Sequence, residues 1–417
     1  MIADTPGLMD EIRSRFAHVE TCPFEGRRIF FENAGGALHL KSVVETSAFH
    51  AAIPDNPGRV NAAGTRLQQI IETGKADMRL FFNAQDGRVF VGESGTELLF
   101  RLVRAAALGT EAGGAMIGST LEHPATASAR ARWAGITGRA VIEVPHDDAT
   151  GTVGVEAYRA HLTPDIRVAT ILHTSPVTGM AVDVAAIAAA IREVAPAALI
   201  VVDGIQHASH GAVDVAALGV DGYAVSPYKM FARHGYGVAW ASDRLGACAK
   251  DNLAGGPAEN WELGTRDAGA YATFSDVVSY LDWLGGQVCD SPDRRARLEA
   301  AGRAIAAQEG RLARAVIGGT GNLPGLGAMA GITLIGGNRV EGREGVVSFR
   351  AAGRDSPALV EHLRQNGIRV HTRKADHYSG NVLVPLGMTD CVRLSFSHYN
   401  TEAEVARFLS VMQALTG

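Results

Sequence analysis

Lys229 closes the run Tyr223-Ala224-Val225-Ser226-Pro227-Tyr228-Lys229, where an apolar strand gives way to a turn. Lysine is strongly hydrated and seldom buried. At the end of a core strand it loses solvent, its pKa falls and its amine becomes a nucleophile for carbonyls. The other lysines, Lys41, Lys75, Lys250 and Lys374, follow no core strand in this way. A second apolar run, Leu199-Ile200-Val201-Val202, ends in Asp203-Gly204-Ile205-Gln206-His207. A carboxylate at the end of a buried strand needs a partner, because an isolated buried charge is too costly. A protonated pyridine nitrogen is one such partner, and the cap of a turn is the plainer alternative.

Upstream, the apolar run 88–91 leads into Gly92-Glu93-Ser94-Gly95-Thr96-Glu97 and then a helical pattern. Gly95 and Thr96 at a helix start offer free N–H groups and a hydroxyl, which suit a phosphate as well as a simple cap. The segment approaches the serine-nucleophile pattern G-x-S-x-G, but Thr96 stands at the last glycine. His123, in Glu122-His123-Pro124-Ala125, is a helix cap or a ring-stacking group. A lysine for a Schiff base, an acid for a pyridinium, a phosphate cup and a stacking ring form the set that pyridoxal 5'-phosphate (PLP) requires.

These residues need a frame. From about 85 to 245, strand patterns at 88–91, 115–118, 140–144, 168–173, 198–202, 222–226 and 237–241 alternate with helical patterns, among them 96–108, 124–134 and 184–194. Strands apolar throughout are covered on both faces, so the expected fold is α/β: a mainly parallel seven-stranded sheet between helices. Ligands of such sheets sit at the carboxyl ends of the strands, where the residues above fall. After about 255 the pattern changes. A polar and aromatic loop at 261–265 precedes a long helical region, 268–316, broken near Pro292, and a glycine-rich loop at 318–327. Strands near 331–335, 345–350, 368–371 and 391–396, with helices at 356–366 and 401–415, predict a small α+β domain. The expected division is a large cofactor-binding domain over 20–265, with 1–19 and 266–417 forming the remainder.

With 417 residues, 47% of them hydrophobic, the chain can bury a large core. Its formal charge of -5 is spread over mixed signs, with no basic block to follow a nucleic acid backbone. No apolar run reaches the length of a membrane span. Residues 1–15 read as an amphipathic helix, not a signal peptide. Cys22, Cys248, Cys289 and Cys391 form no CxxC pair, which argues against a zinc site or a disulfide framework and suits a reducing cytoplasm.

The sequence resembles the class V aminotransferase group of fold-type I PLP enzymes, above all its cysteine desulfurase-like branch. The likeness runs from Phe31-Glu32-Asn33-Ala34-Gly35-Gly36 to Tyr399-Asn400-Thr401. Its most specific pieces are Val202-Asp203-Gly204-Ile205-Gln206-His207, Ser226-Pro227-Tyr228-Lys229, and Arg393 ahead of His398-Tyr399-Asn400-Thr401. The resemblance implies that Lys229 forms the Schiff base and moves the α-proton, and that Asp203 keeps the pyridine nitrogen protonated. It implies that Gln206 donates to the phenolic oxygen, that His123 stacks on the ring, and that Gly95, Thr96 and Ser226 bind the phosphate. Tyr228 stands where relatives often have a phosphate-binding histidine. Thr265, in Glu262-Leu263-Gly264-Thr265, matches the residue that reaches the phosphate of a partner subunit, which implies a homodimer with shared sites. Arg393 matches the arginine that clamps the substrate carboxylate, a bidentate task lysine does poorly. Asn33 and Gly35, the loop near Arg59 and Arg66, and the stretch 374–379 with His377 and Tyr378 form the expected side-chain pocket. Arg59 and Arg66 hint at an acidic side chain on the substrate.

The sequence departs from the family pattern at two places. Tyr378 occupies the loop position of the desulfurase cysteine, and Cys391 reads as a small core residue. Pro176, in Ser175-Pro176-Val177-Thr178-Gly179, replaces an asparagine that touches the phenolic oxygen. The expected function is therefore a PLP lyase that cleaves a β-substituent of the C–S type from a small amino acid. His377, Tyr378 or His123 would handle protons at the leaving group. Aminotransferase, epimerase and true cysteine desulfurase are the alternatives within the family. A hydrolase built on Ser94 is the alternative outside it, and the set Lys229, Asp203 and Arg393 argues against that.

Overall fold

The computed structural model describes residues 2–416. Seven strands form the main sheet: β1 (Arg88–Gly92), β2 (Ala115–Ser119), β3 (Ala140–Val144), β4 (Ile166–Leu172), β5 (Leu199–Asp203), β6 (Gly222–Val225) and β7 (Gly237–Ala241). Their order is β1-β7-β6-β5-β4-β2-β3. Only β7 runs against its neighbours. β2, β5, β6 and β7 are buried at every position, as their unbroken apolar runs require. The edge strand β3 carries the exposed side chains. This is the expected α/β architecture.

The helices that follow the strands are started by side chains. Ser94 Oγ accepts from the Glu97 amide at 3.1 Å and begins Gly95–Gly109. His123 Nδ1 accepts from the Ala125 amide at 3.1 Å, with Pro124 in the first turn of Pro124–Thr137. Asp183 caps Val184–Val194 in the same way. Each cap places a helix N-terminus near the carboxyl end of a strand.

A second, antiparallel sheet contains β8 (Ile332–Leu334), β9 (Val346–Ala351), β10 (His371–Lys374) and β11 (Asp390–Ser395), in the order β8-β9-β11-β10. Its core joins Phe349, Leu363, Val392 and Phe408. The helix Arg294–Gly318 serves both cores: Leu298 and Ile305 pack with the main sheet, Leu312 and Val316 with the second. The segment 29–40 ties the two sheets together. Ile29–Phe30 pairs in parallel with Ile368–Arg369, the Ser395 amide donates to Phe31 O at 2.8 Å, and the Ala37 amide donates to Tyr228 O at 3.1 Å.

Three sequence expectations are corrected in detail. The amphipathic helix expected over 1–15 is shorter, Leu8–Ser14, because Gly7 takes a left-handed conformation (φ 76°) after Pro6; Met1 lies outside the described residues. The strand expected at 368–371 divides at Val370, its first half pairing with Ile29–Phe30 and its second entering the sheet as β10. Within the loop expected at 318–327, Gly319–Thr320 and Leu323–Pro324 form a small hairpin. No helix among the described residues is long and apolar enough to cross a membrane.

The helices Ala62–Phe82 and Ala268–Gly286 touch where Gly74 faces Tyr271. A Cβ at Gly74 would lie 2.6 Å from Tyr271 Cβ and 3.0 Å from its Cα. The helices must separate to admit even a methyl group. Gly74→Ala is therefore expected to lower the unfolding free energy by about 1–3 kcal/mol, read as a lower denaturation midpoint in urea.

Candidate active site

A cavity opens at the carboxyl ends of β4, β5 and β6. Its lining includes Thr96, His123, Thr174, Pro176, Asp203, Gln206, Ser226, Tyr228 and Lys229. Seven of the expected site residues thus meet in one place. Gly95 joins them from behind: a Cβ there would collide with Ser226 Oγ. The helix N-terminus consequently approaches Ser226 as closely as a bare backbone allows.

Asp203 is 2% exposed. Its Oδ2 accepts from Thr126 Oγ1 at 2.9 Å and its Oδ1 from the Ile205 amide at 3.1 Å. Both donors are neutral, and no salt bridge satisfies the carboxylate among the described residues. Lys229 lies partly open to the cavity but is densely surrounded by protein, and its Nζ donates to Gln206 Oε1 at 3.3 Å. Burial, then the charge of Arg393, lowers its pKa from 10.5 to about 8. That fall favours the neutral amine by about 3 kcal/mol. His123 is held neutral chiefly by burial, its pKa lowered to about 4. Burial raises the Tyr228 phenol, whose ring stacks on His234 at 4.3 Å.

Gln206 extends inward to a pair not noticed in the sequence. Its Nε2 lies 2.9 Å from His210 Nε2, and His210 Nδ1 lies 2.7 Å from Glu309 Oε2. The amide oxygen, not the amide nitrogen, faces Lys229 in this arrangement. The donation to a phenolic oxygen expected of Gln206 needs the amide turned over. Burial opposes a charge on His210, but Glu309 outweighs it and raises the histidine pKa. A protonated His210 offers Nε2–H to the turned amide, so the pair accommodates that orientation. The i, i+4 spacing of Gln206 and His210 was the available signal. Thr174 is likewise fixed from below, donating to Glu344 Oε2 at 2.7 Å.

The expected substrate side is assembled unevenly. Arg393 is 3% exposed and donates through Nη1 to Pro176 O at 3.0 Å, while its Nε is buried without a partner. Its Nη2 would lie 3.5 Å from a Cβ at Gly35, an ordinary contact that places this turn beside the guanidinium. The Asn33 amide is committed elsewhere: Nδ2 donates to Ser395 O at 3.0 Å, and Oδ1 accepts from the Tyr399 hydroxyl. Asn33 holds the turn in place and does not line the cavity. The Tyr378 ring reaches within 6.0 Å of the His123 ring and packs at a tilt, 4.0 Å away, against the exposed His377. Arg59 and Arg66 are exposed; Arg66 borders a separate groove with Phe49 and Leu67. Thr265 is exposed and does not line the cavity. Ser94 is spent on its helix cap, and among the described residues no histidine bonds to it.

Cys391 is fully buried in β11, and burial pushes its thiol up to about 12. Among the described residues, no cysteine lines the cavity.

The unpaired buried Asp203, the amine of Lys229 with its lowered pKa and the glycine-floored cup beside Ser226 fit PLP, and together they mark a fold-type I enzyme built around that cofactor. The chain belongs to the Aminotransferase class-V family, which matches residues 29–270 and 304–408, and it is a PLP-dependent enzyme. A probable cysteine desulfurase of Xylella fastidiosa is 26% identical over 92% of this chain and 90% of its own length. A nonribosomal peptide synthetase-like enzyme of Aspergillus fumigatus is 27% identical over 92% of this chain, which spans only 25% of that protein. The apo cysteine desulfurase of Thermococcus onnurineus has the same fold, with TM-score 0.82 at 21% identity over 99% of this chain and 98% of its own.

The low pKa of Lys229 has a measurable consequence. An ordinary lysine becomes neutral only above about pH 10, whereas Lys229 does so above about 8. In protein stripped of cofactor, the rate of PLP recapture is expected to rise with pH and level off near 8. A rate still climbing steeply at pH 9.5 would contradict this assignment.

Proposed function

We propose that the protein is a lyase that breaks a C–S bond, or a similar bond to a β-substituent, in an amino acid. One observation carries this reading. The cavity gathers Lys229, Asp203, Gln206, His123 and, at its rim, Arg393, yet offers no thiol to accept sulfur. PLP, when bound, draws electrons away from the substrate's α-carbon. Every other task falls to the chain. Lys229, neutral above about pH 8, takes the α-proton. Asp203 holds a proton on the ring nitrogen, which in turn supplies the cation that its carboxylate lacks. Gly95, Thr96 and Ser226 receive the phosphate at a helix N-terminus, with Tyr228 alongside. His123, neutral and lining the cavity, would stack on the ring. Arg393 orients the α-carboxylate, with Gly35 beside it. Tyr378 and His377, on the open side, are placed to give a proton to the leaving group.

We place the active form as a homodimer, with Thr265 of each subunit completing the phosphate cup of the other. The exposure of Thr265 and its absence from its own cavity support this. The four unpaired cysteines suit a cytoplasmic setting.

The test supplies cysteine, cysteine sulfinate and a cysteine S-conjugate to the PLP-loaded protein without a keto-acid acceptor. Sustained release of pyruvate and ammonia from cysteine or the S-conjugate, or of alanine and sulfite from the sulfinate, is the expected result. Conversion of cofactor to its amine form without turnover would identify an aminotransferase, and racemised substrate an epimerase. Lys229→Ala is expected to lose about 10³-fold or more in rate, together with the visible absorbance of the bound cofactor. Cys391→Ser is expected to stay within about twofold of the parent, since a buried thiol with a raised pKa is no nucleophile.

A further inference from the structure

Arg373 and Arg393 lie on the site side of the second sheet, and neither forms a salt bridge among the described residues. β10 and β11 pair with His371 opposite Arg393 and Arg373 opposite Cys391. Opposed residues, and residues two apart, share a face of a sheet. Arg373 and Arg393 therefore project from the same side. That side meets the cavity, since Arg393 donates to Pro176, one of the lining residues.

Arg373 is held beside it by neutral groups. Its Nε donates to Ser379 Oγ at 2.8 Å and its Nη2 to Tyr378 O at 3.1 Å. The guanidinium lies 5.9 Å from the centroid of the Tyr378 ring, the ring that approaches His123. Nη1 has no hydrogen-bond partner among the described residues. The charge of Arg373 is also felt at Lys229, His123 and Arg393, lowering the pKa of each. Asp376, the carboxylate nearest in sequence, is exposed and accepts from the Tyr378 amide at 2.8 Å. By contrast, Arg369 on the preceding strand is fully balanced, 2.7 Å from Glu32 and 3.4 Å from Glu25.

A desolvated guanidinium without an anion is costly, and the cost is relieved when a ligand brings the missing charge. The α-carboxylate would balance Arg393 and leave Arg373 unmatched. We propose that Arg373 recognises a second anionic group, so that the substrate is an α-amino acid bearing a carboxylate or a sulfinate on its β-carbon. This rests on the assignment of Arg393 to the α-carboxylate under the proposed function. It moves the acidic-substrate signal from Arg59 and Arg66 to a residue that the fold brings to the site.

The test measures binding, through the shift in visible absorbance of the PLP-loaded protein titrated with L-aspartate, L-cysteine sulfinate and L-alanine. In the parent protein both acids are expected to bind at least about tenfold more tightly than alanine. Arg373→Gln is expected to weaken the acids by about ten- to a hundredfold, the loss of one charge-assisted contact, and to hold alanine within about twofold. Arg373→Lys keeps the charge and should retain part of the preference. The stronger acid of the two tells carboxylate from sulfinate. Alanine binding as tightly as the acids in the parent protein would overturn the proposal, whatever the variants do. So would an equal loss for all three ligands in both variants. An acid preference without C–S cleavage would refute the lyase and keep this inference; cleavage of cysteine without an acid preference would do the reverse.

Discussion

Charge without a protein counterion governs this molecule. Asp203 is a buried anion with only neutral donors, and Arg393 and Arg373 are shielded cations with only neutral acceptors. Lys229 answers the same pressure by giving up its proton more readily than a solvated lysine. Such groups could neutralise one another by collapsing together, and the frame prevents it. Asp203 is fixed at the end of a strand buried at every position, and Arg393 stands within a strand of a different sheet. The stability lost in keeping these charges apart is offset by two large apolar cores.

The join between the sheets carries most of that task. The backbone at 29–40 is hydrogen-bonded to β11 on one side and to the turn around Lys229 on the other. Asn33 spends its whole amide on this join, which explains why a polar residue in the expected substrate segment does not line the cavity. Gly35, two residues on, lies beside the Arg393 guanidinium. One short segment thus serves as tie and as rim, with the two roles divided between residues two apart.

Much of this was legible in the chain itself. Fully buried strands announce themselves by unbroken apolar runs, and ligand-facing residues must follow them, so β5 and β6 exposed Asp203 and Lys229 to direct reading. What stayed hidden depends on relations that sequence spacing does not encode. Arg373 sits among polar residues in a half-buried strand, and only the register against β11 shows that it shares a face with Arg393. The orientation of the Gln206 amide is set by His210 and, through it, by Glu309, a residue on a distant helix. Arg59 and Arg66 lie exposed in the single chain, and arginine looks alike in sequence whether it lines a site or coats a surface. The strand expected at 368–371 split because its two halves pair with different partners, a tertiary choice that no local pattern signals.

The burial of Cys391 has a consequence for the conditions this enzyme tolerates. A catalyst that parks sulfur on its own thiol can be silenced by peroxide or by an alkylating agent at that one atom. Here the loop position holds a phenol, and the nearby sulfur is sealed within a strand and kept protonated. Oxidative stress that halts a thiol-dependent enzyme would find no such target in this cavity.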